Sequence, residues 1–274
     1  MKKLLFLFIL SMLCLCSNIH AQILITDTSQ LTKIGKQTYL LEDKKSEFTF
    51  EQILTPEIQK SFTQSKYNSP NYAVTLSTIW CKFEIGNSTN QPIYLFLDNP
   101  LLDSVILYEL DPNTSAYNAN IILKNSSNLD GAFLYHLNLK PDQKKQYYFR
   151  INTKTSLQFP LYVGTFQSYV NTFRNIDLFH GCYYGFIIVM ILYNLFIFIS
   201  IREKAYIYYI VYALGIGLFH AYLNGHIASV FSIDAQLFLS NYMIVETCLT
   251  LIAIMLFSMI FLNIKVNAPM AQLD

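Results

Sequence analysis

The sequence predicts an antiparallel β-sandwich followed by α-helical transmembrane segments. Three observations lead there. Residues 70–165 alternate apolar and polar side chains with a period of two. Residues 178–201, 205–223 and 235–262 are long apolar stretches. Charge separates the two parts, because residues 178–262 hold only Arg202, Glu203, Lys204, Asp234 and Glu246. The chain is 53% hydrophobic and 14% charged, whereas an average soluble domain carries about 25% charged residues. A membrane protein fits that deficit. The 21 Phe and 20 Tyr exclude a disordered chain. A net charge of +1 leaves no basic excess for phosphate contacts, so no nucleic-acid partner is expected.

The first 21 residues have the pattern of a secretory leader. Lys2 and Lys3 precede an apolar run from Leu4 to Leu15, and the small Ala21 suits cleavage. The run is short for a span, which needs about 20 apolar residues. The bulky Leu15 before Cys16 argues against a lipoprotein site. Removal of the leader leaves Cys81, Cys182 and Cys248. The last two fall in apolar segments, so Cys81 has no evident intrachain partner. An exported domain without disulfides must then rely on its core.

The outer domain is expected over residues 23–170. Cys81, Phe83 and Ile85 alternate with Trp80, Lys82 and Glu84. Ile93, Leu95 and Leu97 alternate with Tyr94, Phe96 and Asp98. Phe133, Tyr135 and Leu137 alternate with Leu134 and His136, and Tyr147, Phe149 and Ile151 with Tyr148 and Arg150. Val105 to Leu110 is a further run, and Leu161 and Val163 close the series. Such alternation sends one set of side chains into a core and the other outward. Turn residues separate the runs at 87–90, Asn99-Pro100, Asp111-Pro112-Asn113, Asp130-Gly131 and Pro141-Asp142. Short strands at this spacing predict a sandwich. A short helix interrupted near Pro56 is expected within residues 46–62.

Helices are expected at 178–201, 205–223 and 235–262, each near or above the length that crosses a bilayer. Backbone groups in lipid must bond within their own segment, which a helix achieves. The short loop Arg202-Glu203-Lys204 is basic and belongs on the cytoplasmic side, together with Lys265. The loop 224–234 has no Lys or Arg and faces outward. That orientation puts the sandwich outside, in agreement with the leader.

Several motifs resemble bacterial seven-transmembrane receptors with diverse intracellular signalling modules (7TMR-DISM). In the outer part these are Trp80-Cys81-Lys82-Phe83, the Asn87 turn, Asn99-Pro100-Leu101-Leu102-Asp103-Ser104-Val105 with Leu107-Tyr108, and Tyr147-Tyr148-Phe149-Arg150-Ile151. In the apolar part they are Gly181-Cys182-Tyr183-Tyr184-Gly185, Tyr193-Asn194-Leu195-Phe196, and Ala205-Tyr206-Ile207-Tyr208-Tyr209 with Asn224-Gly225. The resemblance spans about residues 35–262. It implies a type-2 extracellular domain, jelly-roll-like and similar to carbohydrate-binding modules. It also implies a receptor that binds an extracytoplasmic small molecule or glycan and signals through its helices. The family has seven helices and then an intracellular signalling output domain. This sequence carries three apolar stretches and no output domain, which reads as a fragment or as a truncated relative.

Candidate ligand-binding residues are Trp80, Tyr94, Tyr108 and Tyr148, whose rings would stack on a sugar face; the competing reading is that they pack within the sheets. Tyr72 and Tyr162 belong to the same class. Asn194, His220, Asn224 and Glu246 are polar groups in or beside the apolar segments. A carboxylate at the depth of Glu246 costs at least a few kcal/mol unless paired or protonated. It is expected to contact His220 or Asn194, or else a helix beyond these three. No carboxylate cluster of calcium type is present, so no metal site and no cofactor are expected. Nucleophile-elbow, P-loop, H-E-x-x-H and Rossmann patterns are lacking, and the protein is not expected to be an enzyme. Two alternatives stand beside the receptor reading. One is a membrane-tethered carbohydrate-binding module without signalling. The other is a glycan-cleaving enzyme built on Asp98, Asp103 and Glu109.

Overall fold

The structure, a computed structural model, describes residues 22–110, 117–123 and 133–262. The leader, the turns at Asp111-Pro112-Asn113 and Asp130-Gly131, and Lys265 lie outside the described residues.

Two sheets form the outer domain. The larger has seven strands, β1 (Gln22–Ile25), β3 (Tyr39–Asp43), β4 (Thr63–Gln64), β6 (Thr78–Asn87), β8 (Ser104–Leu110), β9 (Tyr117–Leu123) and β11 (Lys144–Asn152), in the order β4-β3-β6-β11-β8-β9. β1 lies beside β6 in parallel register, pairing Gln22 with Glu84 and Ile25 with Asn87. β3 pairs antiparallel with the other end of β6, from Thr78 to Lys82. The second sheet has four antiparallel strands in the order β10-β7-β13-β2. They are β10 (Phe133–Leu137), β7 (Ile93–Leu97), β13 (Leu161–Gly164) and β2 (Thr32–Lys33). β5 (Asn71–Val74) and β12 (Ser156–Gln158) form a small ribbon.

The alternation read from the sequence decides what faces the core. Ile79, Cys81, Phe83, Ile85, Val105, Leu107, Tyr147, Phe149 and Ile151 on one sheet meet Ile93, Leu95, Leu97, Phe133, Tyr135, Leu137, Leu161 and Val163 on the other. Burial pushes the thiol of Cys81 up to about 12, against a hydrogen bond with Thr38 that lowers it. The described cysteines Cys81, Cys182 and Cys248 are free. Gly35 lets the chain pass close to the 65–68 loop: a Cβ there would lie 2.1 Å from the Asn68 carbonyl oxygen.

The outward residues are covered as well, and by helices. α1 (Phe50–Ile53) and α2 (Pro56–Gln59) lie over the larger sheet. Thr49 starts α1 with a capping box: its hydroxyl accepts from Gln52 N, and Gln52 Oε1 accepts from Thr49 N at 2.9 Å. That cap fixes Phe50 over Trp80, Tyr108 and Tyr148. Pro56 begins α2 at a position where its missing N–H costs nothing.

The other sheet is covered by α3 (Phe166–Ile201), a single helix of 36 residues. At about 1.5 Å per residue it runs roughly 54 Å, more than a bilayer core of about 30 Å requires. It begins twelve residues before the expected start at 178, since the sandwich ends with β13 at Gly164 rather than at 170. The apolar signal marks only the stretch that meets lipid, whereas the helix begins where Thr165 caps it, accepting from Ser168 N at 3.1 Å. α4 (Lys204–Leu223), α5 (His226–Val230) and α6 (Ile233–Phe261) complete the chain. Among the described residues three helices, α3, α4 and α6, are long and apolar enough to cross a membrane. Their surfaces carry exposed Leu178, Phe179, Phe186, Ile188, Ile244, Leu249 and Ile252. Side chains of this kind in such number call for lipid as the solvent. Arg202, at φ 60°, closes the tight α3–α4 turn by donating its N–H to Phe198 O at 2.7 Å.

Trp80 is the one tryptophan of the chain, and α1 shields it. Phe50→Ala is expected to shift Trp80 emission to the red, admit iodide quenching, and cost about 3–5 kcal/mol of sandwich stability in denaturant titration.

Candidate functional site

The four aromatic candidates separate into two places. Trp80 and Tyr148 are 0% and 1% exposed, and Tyr108 stacks on Phe50 with centroids 4.1 Å apart. Trp80 and Tyr148 are the floor beneath α1 and offer no face to a sugar, while half-buried Tyr108 gives one face to Phe50. The platform reading therefore fails for Trp80 and Tyr148. The physical reason is that β6, β8 and β11 are adjacent, so their outward rings merge into one apolar patch that water cannot be left to cover. The patch carries a polar border: Gln59 Nε2 donates to Tyr148 Oη at 3.2 Å, and Lys82 Nζ donates to Gln59 Oε1 at 2.7 Å. Arg150 lies 5.9 Å from the Trp80 ring.

Tyr94 sits elsewhere, on β7 of the smaller sheet. Its ring lies 5.1 Å from His136 and 6.2 Å from Phe166, the first residue of α3. His136 lines an open cleft of about 410 Å³, together with Asn90, Gln91, Asn138 and Lys140. The rim of this cleft is held by Asn87, which is 1% exposed. Its Oδ1 accepts from Thr89 N and Oγ1, and its Nδ2 donates to Gln91 O and Leu139 O. One buried amide thus ties both loops. Next to this cleft, the sheet meets the membrane-bound helix. Tyr169 stacks on Phe96 with centroids 4.3 Å apart and planes 6° off parallel, and Phe173 meets Tyr162 edge-on at 5.8 Å. Thr165 Oγ1 also donates to Thr28 O at 3.1 Å. A direct join of the first long helix to the sandwich through Gln167 to Asp177 is legible in the sequence, but the packing of Tyr169 and Phe173 on the sheet is not, because they lie in a polar stretch before the apolar run.

Asp98, Asp103 and Glu109 do not converge. Asp103 accepts from Lys154 N at 2.8 Å and Thr153 Oγ1 at 3.2 Å, fastening a loop. Glu109 pairs with Lys145. Asp103 and Glu109 flank one strand, about 20 Å apart at 3.3 Å per residue, whereas paired glycosidase carboxylates stand about 5–9.5 Å apart. Asp98 directly follows β7 of the other sheet. Burial holds its carboxyl above the usual carboxylate range, and the negative charge of Asp177 on α3 adds to that.

In the membrane part, Glu246 on α6 meets neither His220 nor Asn194. Its Oε1 accepts from Thr250 Oγ1 at 2.9 Å, one turn on. Gly215 of α4 faces that pair: a Cβ there would lie 1.9 Å from Thr250 Oγ1 and 2.9 Å from Glu246 Oε1. The expected interhelical bond of Asn194 is also absent, since its Nδ2 donates to Met190 O of its own helix at 2.8 Å. Both shifts have one cause: a polar side chain in a helix finds the carbonyl or hydroxyl four residues away sooner than a partner on another helix. His220 lies with its ring 5.0 Å from that of Tyr183 on α3. Asn224 caps α4 by donating Nδ2 to His220 O at 2.8 Å. Tyr184 Oη and His226 Nδ1 share a hydrogen bond of 2.8 Å across α3 and α5, with His180 stacked edge-on at 5.0 Å. Among the described residues no group of three His, Cys, Asp or Glu could hold a metal ion.

Two predictions follow from this geometry. Asp98 holds its proton to higher pH in the folded state than unfolded, so it lowers stability as pH rises from the ordinary carboxylate range through that raised value. Asp98→Asn is expected to raise the melting temperature at neutral pH and to flatten that decline in a pH series. Gly215→Ala is expected to loosen α4 from α6 and cost about 1–3 kcal/mol by overpacking. The loss is read as a lower melting temperature in detergent.

Comparison with known proteins agrees with this architecture. The family described as 7TMR-DISM extracellular 2 matches residues 35–165, and 7TM diverse intracellular signalling matches residues 176–273. Among curated proteins no relative matches. Solved structures similar to the outer domain include TmCBM61 in complex with beta-1,4-galactotriose, at 10% identity and a TM-score of 0.28 over 50% of this chain and 92% of that one. Another is CpGH89CBM32-6 produced by Clostridium perfringens, at 6% identity and a TM-score of 0.25 over 47% of this chain and 93% of that one. With an extracellular-domain match, a membrane-domain match and apolar helices placed in that order, the chain belongs to the 7TMR-DISM family of multi-pass membrane receptors.

Proposed function

We propose that this chain is the sensory part of a receptor in the bacterial cytoplasmic membrane. Residues 1–21 act as a cleaved leader, the sandwich lies in the periplasm, and the Arg202–Lys204 turn faces the cytosol. The sandwich binds a small hydrophilic ligand, a sugar or short glycan, in the cleft bordered by Asn90, Gln91, His136 and Asn138. The amide groups suit hydroxyls, and the Tyr94–His136 pair gives the aromatic wall that the other rings cannot give. No catalytic role is assigned to Asp98, Asp103 or Glu109.

One observation carries this reading: α3 is uninterrupted from its stacking on the sheet to its span. A ligand that moves His136 moves Tyr94, which touches Phe166 at the head of that helix. The ligand can shift the helix only as far as its affinities for two attitudes differ. An output module on further chain or on a partner would read the shift.

The test places single cysteines from Asn171 to Asp177 in a chain carrying Cys182→Ser and Cys248→Ser, in membranes, and probes it with a panel of neutral mono- and oligosaccharides. A saccharide that binds is expected to change crosslinking between neighbouring copies, and His136→Ala with Asn90→Ala should weaken its binding by about tenfold. Saccharide binding without any change in crosslinking would leave a tethered binding module and refute transmission through α3.

A further inference from the structure

A second cleft lies where the sandwich meets the membrane helices. Its volume is about 340 Å³, within the range of about 300–1,000 Å³ of small-ligand sites, which favour domain interfaces. One wall holds Asp98 and Asn99 after β7 and Ser156 and Gln158 of β12. The other is Leu223 and Asn224 at the outer end of α4. Neither half closes the cleft alone.

The hydrogen-bond accounting of the lining is one-sided. Its amide donors are engaged: Asn99 Nδ2 donates to Gln158 O at 2.6 Å, Gln158 Nε2 to Ser69 Oγ at 3.0 Å, and Asn224 Nδ2 to His220 O at 2.8 Å. Among the described residues, the Asp98 carboxylate, Gln158 Oε1 and Asn224 Oδ1 have no partner. No Lys or Arg lines the cleft, and the charge acting on Asp98 is that of Asp177, also negative. The two amide oxygens are open to water, but the Asp98 carboxyl is partly withdrawn from it with no cation beside it, and a carboxylate so placed costs free energy. A ligand with positive charge and several N–H donors removes that cost.

We propose that this cleft binds a primary ammonium group. Asp98 supplies the counter-charge, and the amide oxygens of Gln158 and Asn224 accept its remaining protons, three donors meeting three acceptors. α4 leaves its span at Leu223, so the cleft stands at the level of lipid headgroups. The ammonium therefore has two sources, the ethanolamine headgroup of a lipid or a free amine in the outer solution. Either one, once bound, fastens the sandwich to α4. This site is separate from the saccharide cleft and does not depend on what binds there.

The test uses the full chain in nanodiscs, with the melting temperature read from Trp80 emission. One arm compares phosphatidylcholine–phosphatidylglycerol discs with discs in which phosphatidylethanolamine replaces part of the phosphatidylcholine. The second arm titrates ethanolamine into the phosphatidylethanolamine-free discs, with choline, which has no N–H donor, as control. The expected result is a higher melting temperature in at least one arm and no response to choline. A response in the first arm alone identifies the lipid as the source, and in the second alone the free amine. Asp98→Asn is expected to abolish the lipid response or to raise the half-saturating ethanolamine concentration about tenfold or more. Asn224→Ala should weaken the response too, and decides the matter if Asp98→Asn does not fold. No response in either arm, equal response to choline, or a response that survives both substitutions would overturn the proposal.

Discussion

The contact of Tyr169 and Phe173 with Phe96 and Tyr162 is the constraint on which the rest depends. β7 and β13 bury Leu95, Leu97, Leu161 and Val163 on their inner face, and Phe96 and Tyr162 project from the opposite one. Leaving that outer face to water is unfavourable, so something must cover it. The first two turns of α3 do so. The helix that enters the membrane is therefore also part of the sandwich. An aromatic pair is worth about 0.5–1.5 kcal/mol beyond its buried area, which is comparable to the 1–3 kcal/mol or so that couples sites in allosteric proteins.

The chain meets two solvents, and its polar groups are placed accordingly. Exposed Phe179, Phe186, Ile188, Ile244 and Leu249 would be a liability in water and are the expected surface in lipid. Inside that zone, polar side chains bond along their own helix, as Asn194 does to Met190 and Glu246 to Thr250. Gly215 then lets α4 approach this seam, in the manner of small residues at helix contacts in membranes. Toward the outer ends the pattern changes. Tyr184 and His226 bond across helices, and Asn224 both caps α4 and lines the junction cleft. Polar contacts between elements gather where water is near, at the level where the sandwich joins the bundle.

Much of the outer fold was legible because a period of two is a local property. Cys81, Phe83 and Ile85 point inward as their alternation requires, and so do Phe133, Tyr135 and Leu137. What lies beyond the alternating face was not legible. Trp80, Tyr108 and Tyr148 occupy outward positions, and an outward aromatic is equally the pattern of a binding platform and of a floor beneath a helix. A short helix interrupted near Pro56 was legible, but Phe50–Ile53 has only four residues, too few to show which side chains it would lay on the sheet. Similarly, Tyr169 and Phe173 are two aromatics among polar neighbours, so nothing in the row of letters tied them to Phe96.

The sequence by itself determined the two classes of structure, their order, and the solvent each requires, since alternation, apolar run length and charge are read along the chain. Tertiary structure alone decided which aromatic rings are covered, where α3 begins, and which groups share a cleft. Those outcomes rest on contacts between residues far apart in sequence, such as Phe50 with Tyr108, Phe96 with Tyr169, and Asp98 across from Asn224. Such pairs obey the need to cover apolar faces and to satisfy polar atoms, and neither need names its partner until the chain has folded.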